Sequence, residues 1–200
     1  MLQTLISYDI LFLNYLRGVV NPSSHLQVEL VKFLTDFWVI FVMVLLVGLW
    51  LFWVYKRKDL LKEKALWIFY SIAFSFLIYM ILNLGLPLRP RPETVSAIRP
   101  LVDHLPDNSF PSWHAIFAGA AILASFIFCW KKWIIWSLVI ISSLMLISRI
   151  IAGIHYPSDI LAGLIIWFIG SYVIFRLKDK NIFTKYLIPY PIKFAKFFKL

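Results

Sequence analysis

Long apolar runs separated by short polar clusters dominate the chain. Five runs reach or approach the roughly 20 residues a helix needs to cross the hydrocarbon core of a bilayer. They cover 37–55, 66–86, 113–130, 133–152 and 159–176. The first, FWVIFVMVLLVGLWLFWVY, carries no charge, and the third holds the small residues Ala118, Gly119, Ala120 and Ala121, which favour close helix packing in a membrane. Trp50, Trp53, Trp67, Trp130 and Trp133 fall near run ends, where interfacial aromatics sit. Ahead of the runs, Leu5, Ile6, Ile10, Leu11, Leu13 and Leu16 recur at roughly helical spacing. This predicts an amphipathic helix over about 4–18 lying on the membrane, with a second over about 25–35. Asp9 interrupts the first stretch and no basic start precedes it, so it is a poor signal peptide. The expected fold is an all-α integral membrane protein, a bundle of five to six transmembrane helices with N-terminal amphipathic helices. It reads as one domain over 1–200: amphipathic helices over 1–36, a helical core over 37–176 and a basic cytoplasmic tail over 177–200.

Composition agrees. The chain is 62% apolar and only 15% charged, with a mean hydropathy of +0.83, whereas soluble domains are about half apolar and a quarter charged. The net charge of +10 does not point to nucleic acid, because a basic excess in such a chain marks cytoplasmic loops and contact with anionic lipid. Fourteen of the 20 basic residues fall in the connections at 56–64 and 131–132 and in the tail from Arg176 onwards. The positive-inside rule puts that side in the cytoplasm. Arg17, Lys32, Arg89, Arg91, Arg99 and Arg149 are left on the other side. Cys129 lies alone in an apolar run, which leaves no disulfide framework and no cysteine metal site.

That orientation brings the 87–112 connection, the start of the third run and the 149–158 turn to one outer surface. Arg89, Arg91, Ser112, His114, Arg149, His155 and Asp159 can then converge there. Arginine forks match phosphate oxygens and keep their charge, and Ser112 adds a hydroxyl. A histidine can attack phosphorus when a carboxylate holds its tautomer. Asp159 follows His155 by four residues, and either Ser158 or Asp159 could cap the fifth helix after Pro157. His114 opens the third run, where it could protonate a leaving alkoxide, and a helix N-terminus nearby favours bound phosphate. Taken singly, each residue has a plainer reading: an arginine snorkels to headgroups, an aspartate caps a helix, and His25 and His104 are interfacial. Two histidines and a carboxylate could also hold a metal, but the surrounding arginines would repel a cation, so no metal is expected.

PSWH (Pro111–His114) and SRIIAGIHYPSD (Ser148–Asp159) resemble the second and third signature motifs, P-S-x-H and S-R-x5-H-x3-D, of the type 2 phosphatidic acid phosphatase superfamily. RPRP (Arg89–Pro92) resembles the end of the first motif, K-x6-R-P. The motif lysine is absent: Leu84 stands at its position counted from Arg91, and Leu82 counted from Arg89. The resemblance implies a six-helix core and metal-independent catalysis, with no cofactor. It implies that His155 is a nucleophile forming phosphohistidine, that Asp159 orients it and that His114 is the general acid. Arg91, Ser112 and Arg149 would hold phosphoryl oxygens, with Arg89 as a helper.

The expected activity is hydrolysis of a headgroup phosphate or diphosphate of a bacterial lipid, at the periplasmic face of the inner membrane. Undecaprenyl diphosphate leads; the 1-phosphate of lipid A and phosphatidylglycerol phosphate are alternatives, and phosphatidic acid meets the same requirement. The expected partners are the lipid substrate and surrounding membrane lipids, without nucleic acid. A lipid transporter is a second class, though the runs hold almost no ionisable groups at mid-depth. An inactive lipid-binding relative is a third, resting on the missing lysine.

Overall fold

The computed structural model describes residues 2–55, 59–86, 89–95, 99–103, 108–128 and 132–197. Cys129, His104, Trp130, Lys56, Arg57, Lys58, Lys131 and Lys199 lie outside the described residues, as do the side chains of Trp50, Trp53 and Ala121. The chain is helical, with no strand among the described residues. The helices are α1 (Leu2–Arg17), α2 (His25–Tyr55), α3 (Asp59–Gly85), α4 (Pro92–Val95), α5 (Trp113–Phe128), α6 (Lys132–Ile151), α7 (Pro157–Leu177) and α8 (Pro189–Phe197). A π-helical turn, Phe183–Leu187, precedes α8.

One boundary differs from the sequence reading. The expected amphipathic helix over 25–35 and the first span are a single helix of 31 residues, α2. At 1.5 Å per residue it is about 46 Å long, well beyond a hydrocarbon core of about 30 Å. No glycine or proline interrupts 25–47, so nothing in the backbone forces a break where the composition changes. The early turns of α2 pack on the polar end of the bundle: Val31 joins Val102, Ala152 and Ile154 in one cluster, and the Thr35 hydroxyl lies 3.1 Å from that of Ser148.

Two described stretches are long and apolar enough to cross a membrane, Lys62–Gly85 and Pro157–Leu177, and a shorter apolar one covers Ile135–Ile151. Their apolar character extends to their outer faces. Leu161, Ile165, Phe168 and Tyr172 on α7 are exposed, as are Val44 and Val47 on α2. A continuous apolar surface of this kind suits lipid and not water.

Helix α7 packs on α3 and α5, α5 also on α3 and α6, and α2 on α6. Small residues set these distances. A Cβ on Gly119 would come within 2.4 Å of the Trp167 ring, and one on Gly163 within 2.4 Å of the Ser112 carbonyl oxygen. Helix α1 lies across one end, against α6 and α7. Its inward face carries Leu13, buried among Ala118, Met145, Ile150 and Tyr156, with Ile10 and Leu16 beside them. Leu11, on the opposite side, is exposed, as is Ile6 two turns before Leu13 on the same face.

The end of α3, the starts of α5 and α7 and the end of α6 meet at the same end as α1. The described basic residues Lys132, Arg176, Lys178 and Lys180 fall at the opposite ends of their helices.

Candidate active site

Two helix termini shape the site. Helix α6 ends on Gly153, whose φ of 78° is a left-handed conformation that glycine adopts without strain. The Gly153 amide donates to the Ile150 carbonyl and the Ile154 amide to that of Arg149, at 2.9 and 3.3 Å. This paired closure satisfies the last carbonyls of the helix and turns the chain so that His155 points back into the bundle. Helix α7 begins on Pro157, where a fixed φ suits the first helical position. Asp159 reaches back from the first turn to accept the Tyr156 amide at 2.8 Å, so Asp159 caps α7, one of the two options open in the sequence.

His155 and Asp159 are almost completely buried. The Nδ1 of His155 lies 3.0 Å from the carbonyl oxygen of Ser109 and 3.7 Å from Asp159 Oδ2. A carbonyl only accepts, so in the neutral ring Nδ1 carries the proton and Nε2 the lone pair. Nε2 is buried without a hydrogen-bond partner. Asp159 acts on the ring as a nearby charge and not as its hydrogen-bond partner. Burial pushes the His155 pKa down to about 4; Asp159 opposes the shift, while Arg149 and Arg91 add to it. At neutral pH the imidazole is therefore uncharged.

His114 faces this ring, with the two ring centroids 6.3 Å apart. It is buried beside Trp113, and its Nδ1 and the Ser112 hydroxyl have no hydrogen-bond partner. Arg91 and Arg149, both buried, lie close enough to act electrostatically on both histidines. Arg91 is steadied by a 2.5 Å bond from Nη1 to the Ile154 carbonyl. The Ser112 amide donates to the Asp159 carbonyl at 3.0 Å, tying the start of α5 to the first turn of α7. The Gly163 approach keeps these two turns together. His155, Asp159, His114, Ser112, Arg91 and Arg149 thus gather at one end of the bundle.

Arg89 is placed differently. Its guanidinium lies over the Tyr156 ring and bridges two carboxylates, with Nη1 2.7 Å from Asp159 Oδ1 and Nη2 2.7 Å from Asp9 Oδ2. Nη1 also bonds the Ser158 hydroxyl at 2.6 Å. Leu84, at the position of the missing lysine, is 85% exposed on α3. A lysine there would point away from the cluster. The Asp159 carboxylate is completed by the Ser109 hydroxyl, 2.6 Å from Oδ2.

Ser109, Tyr156 and Asp9 escaped the sequence reading as site residues, and Ser158 was read there only as a possible helix cap. Asp9 had left a signal: it sits one turn before Leu13, a carboxylate on the apolar face of an amphipathic helix. Among the described residues, no three of His, Cys, Asp and Glu gather as metal ligands.

A family model described as the PAP2 superfamily matches residues 64–183. The chain belongs to the PAP2 superfamily. It is accordingly a phosphatase. Three relatives carry different names. Undecaprenyl-diphosphatase BcrC of Bacillus subtilis is 31% identical over 82% of this chain and 81% of its own length. Lipid A 1-phosphatase of Rhizobium johnstonii is 27% identical over 72% of this chain and 63% of its own. Phosphatidylglycerophosphatase B of Haemophilus influenzae is 36% identical over 46% of this chain and 44% of its own. No solved structure matches the chain significantly.

Proposed function

We propose that this PAP2 protein is a membrane lipid phosphatase acting on undecaprenyl diphosphate through a phosphohistidine intermediate. The observation that carries the mechanism is the buried, unpartnered Nε2 of His155, with Nδ1 held by Ser109. Nε2 attacks the terminal phosphorus; the N–P bond forms and the bond to the bridging oxygen breaks. His114, protonated when the negative diphosphate binds beside it and offsets the two arginines, supplies the proton that the leaving oxygen takes. Water then attacks the phosphohistidine, giving a proton to His114 and releasing phosphate with the electron pair returning to Nε2. Arg91, Arg149 and Ser112 hold the phosphoryl oxygens, where charge spreads in the transition state. Asp159 balances the positive charge that the ring gains on phosphorylation.

The substrate rests on the breadth of the match to the undecaprenyl-diphosphatase of Bacillus subtilis, which covers 82% of this chain. The single catalytic domain would cross the inner membrane five times, through α2, α3, α5, α6 and α7. The site then faces the periplasm, because the basic ends of the helices lie opposite it. The helix α8, with Lys193 and Lys196 beside exposed Phe194 and Phe197, rests on the anionic cytoplasmic leaflet.

The test is phosphate release by the purified protein in detergent with EDTA. Undecaprenyl diphosphate, phosphatidylglycerol phosphate, phosphatidic acid and lipid A are compared. Release from undecaprenyl diphosphate at the highest kcat/KM, unaffected by EDTA, is the expected result. Preference for another lipid overturns the substrate assignment, and loss of activity in EDTA overturns the metal-free mechanism.

A further inference from the structure

The carboxylate of Asp9 is out of place on sequence grounds. It lies on the inward, apolar face of α1, beside Ile10 and Leu13, and is only 8% exposed. Every contact it makes leads towards the site. Oδ1 accepts the Ser158 amide at 3.0 Å, and Oδ2 accepts the Ser158 hydroxyl and Arg89 Nη2. Arg89 in turn grips Asp159, whose other oxygen lies 3.7 Å from His155 Nδ1. The chain of contacts runs from the N-terminal helix to the reacting ring, through one cation shared by two anions.

The shared cation has an electrostatic consequence. Arg89 alone beside Asp159 would cancel the charge that must balance the phosphorylated imidazole. With Asp9 on its far side, the three groups carry one net negative charge, and Arg89 is held at the edge of Asp159 remote from His155. In a buried site such a difference acts almost unscreened. The geometry is fixed as well, because Ser158 belongs to the first turn of α7 and its amide and hydroxyl both bind Asp9.

We propose that Asp9 is a positioning residue for phosphoryl transfer: through Arg89 and Ser158 it sets the place and net charge of the Asp159 carboxylate, so docking of α1 is a condition for turnover. This rests on the assignment of His155 as nucleophile. Asp9 touches neither substrate nor the reacting atoms. Its loss slows the step made in the transition state and leaves ground-state binding unchanged.

Single-turnover phosphorylation by a radiolabelled polyprenyl diphosphate, with acid-labile phosphoenzyme trapped over time, separates these possibilities. The burst amplitude counts folded sites, and the rate constant reads the chemical step, so partial misfolding lowers the first without changing the second. Asp9→Asn is expected to slow the rate about 10- to 100-fold with KM within about twofold of wild type. Asp9→Glu is expected to recover part of the loss. Ser158→Ala, which keeps the charges and removes one tether, gives a smaller loss in the same direction and serves if Asp9→Asn yields no folded protein. The Asp9→Asn/Arg89→Gln double variant should be no slower than Arg89→Gln alone. A wild-type rate in Asp9→Asn, or in Ser158→Ala where Asp9→Asn yields no folded protein, overturns the proposal. So do losses that multiply in the double variant. His155→Ala, run alongside, separates the levels: activity there removes the nucleophile assignment itself, whereas an inactive His155→Ala beside a fully active Asp9→Asn removes only the role of Asp9.

Discussion

His155 donates its Nδ1 proton to the backbone carbonyl of Ser109 at 3.0 Å. The tautomer of the proposed nucleophile is thus set by main chain from the loop before α5, and the carboxylate four residues on is left to act as a charge. The division of labour matters because the two partners fail differently. A carbonyl cannot be removed by substitution, whereas the charge of Asp159 can.

Asp159→Asn tests the charge. Asn can still accept the Tyr156 amide, so the start of α7 is retained, but the negative charge beside the ring is lost. We expect kcat to fall by about 10²- to 10⁴-fold, with phosphoenzyme formation slowed in proportion, as measured by rapid-quench trapping. An unchanged kcat would show that Asp159 serves only as a helix cap.

Acid dependence follows from the burial of His155. With its pKa pushed down to about 4, the ring stays unprotonated well below the usual histidine range, so the acid limb of kcat/KM set by this group lies near pH 4 and not near 6.5. Stability carries the opposite face of the same shift. The unfolded chain takes up the proton first, so stability is fully present above about pH 6.5 and is lost as pH falls from there towards 4. His155→Gln should reduce the pH dependence of thermal unfolding in that window. An equal dependence in both proteins would place the titrating group elsewhere.

Close packing at Gly163 joins the two halves of the site. A Cβ there meets the Ser112 carbonyl oxygen at 2.4 Å and the Ala115 side chain at 2.7 Å, so Gly163→Ala must push α7 away from the start of α5. We expect a loss of about 1–3 kcal/mol in stability, read by denaturation in detergent, together with a fall in activity at temperatures where the variant is folded.

Much of this was legible in the sequence. Five apolar runs mark α2, α3, α5, α6 and α7 to within a few residues, except that α3 starts seven and α2 twelve residues before their runs, because long continuously apolar stretches are rare elsewhere in the chain. The site residues within the two polar connections are read from the chemistry of Arg, His and Asp at helix ends. The true start of α2 was hidden, since the change from amphipathic to apolar at about residue 36 looks like a boundary although the backbone has no reason to break. The partners of the site residues were hidden for another reason. Ser109 contributes a carbonyl, which no side-chain pattern reveals, and Asp9 meets Arg89 across 80 residues, a distance that only the docking of α1 closes. The resemblance made Arg89 a helper in holding the phosphate; in the fold its guanidinium bridges Asp9 and Asp159, a pairing that no sequence pattern reveals.

The missing lysine gives a fourth prediction. Leu84 faces outward at the end of α3, so Leu84→Lys should let the ammonium snorkel to the headgroups and leave kcat/KM within about twofold of wild type. A large gain in kcat/KM would mean that this position does reach the phosphate.

The most direct measurement is trapping of the phosphoenzyme. The purified protein is mixed with undecaprenyl diphosphate labelled in its terminal phosphate and quenched in alkali, and the labelled residue is mapped. Stable label on His155, absent in His155→Ala together with a fall in turnover of at least about 1,000-fold, is the expected result. Turnover by His155→Ala within tenfold of wild type, or label on another residue, would contradict the mechanism.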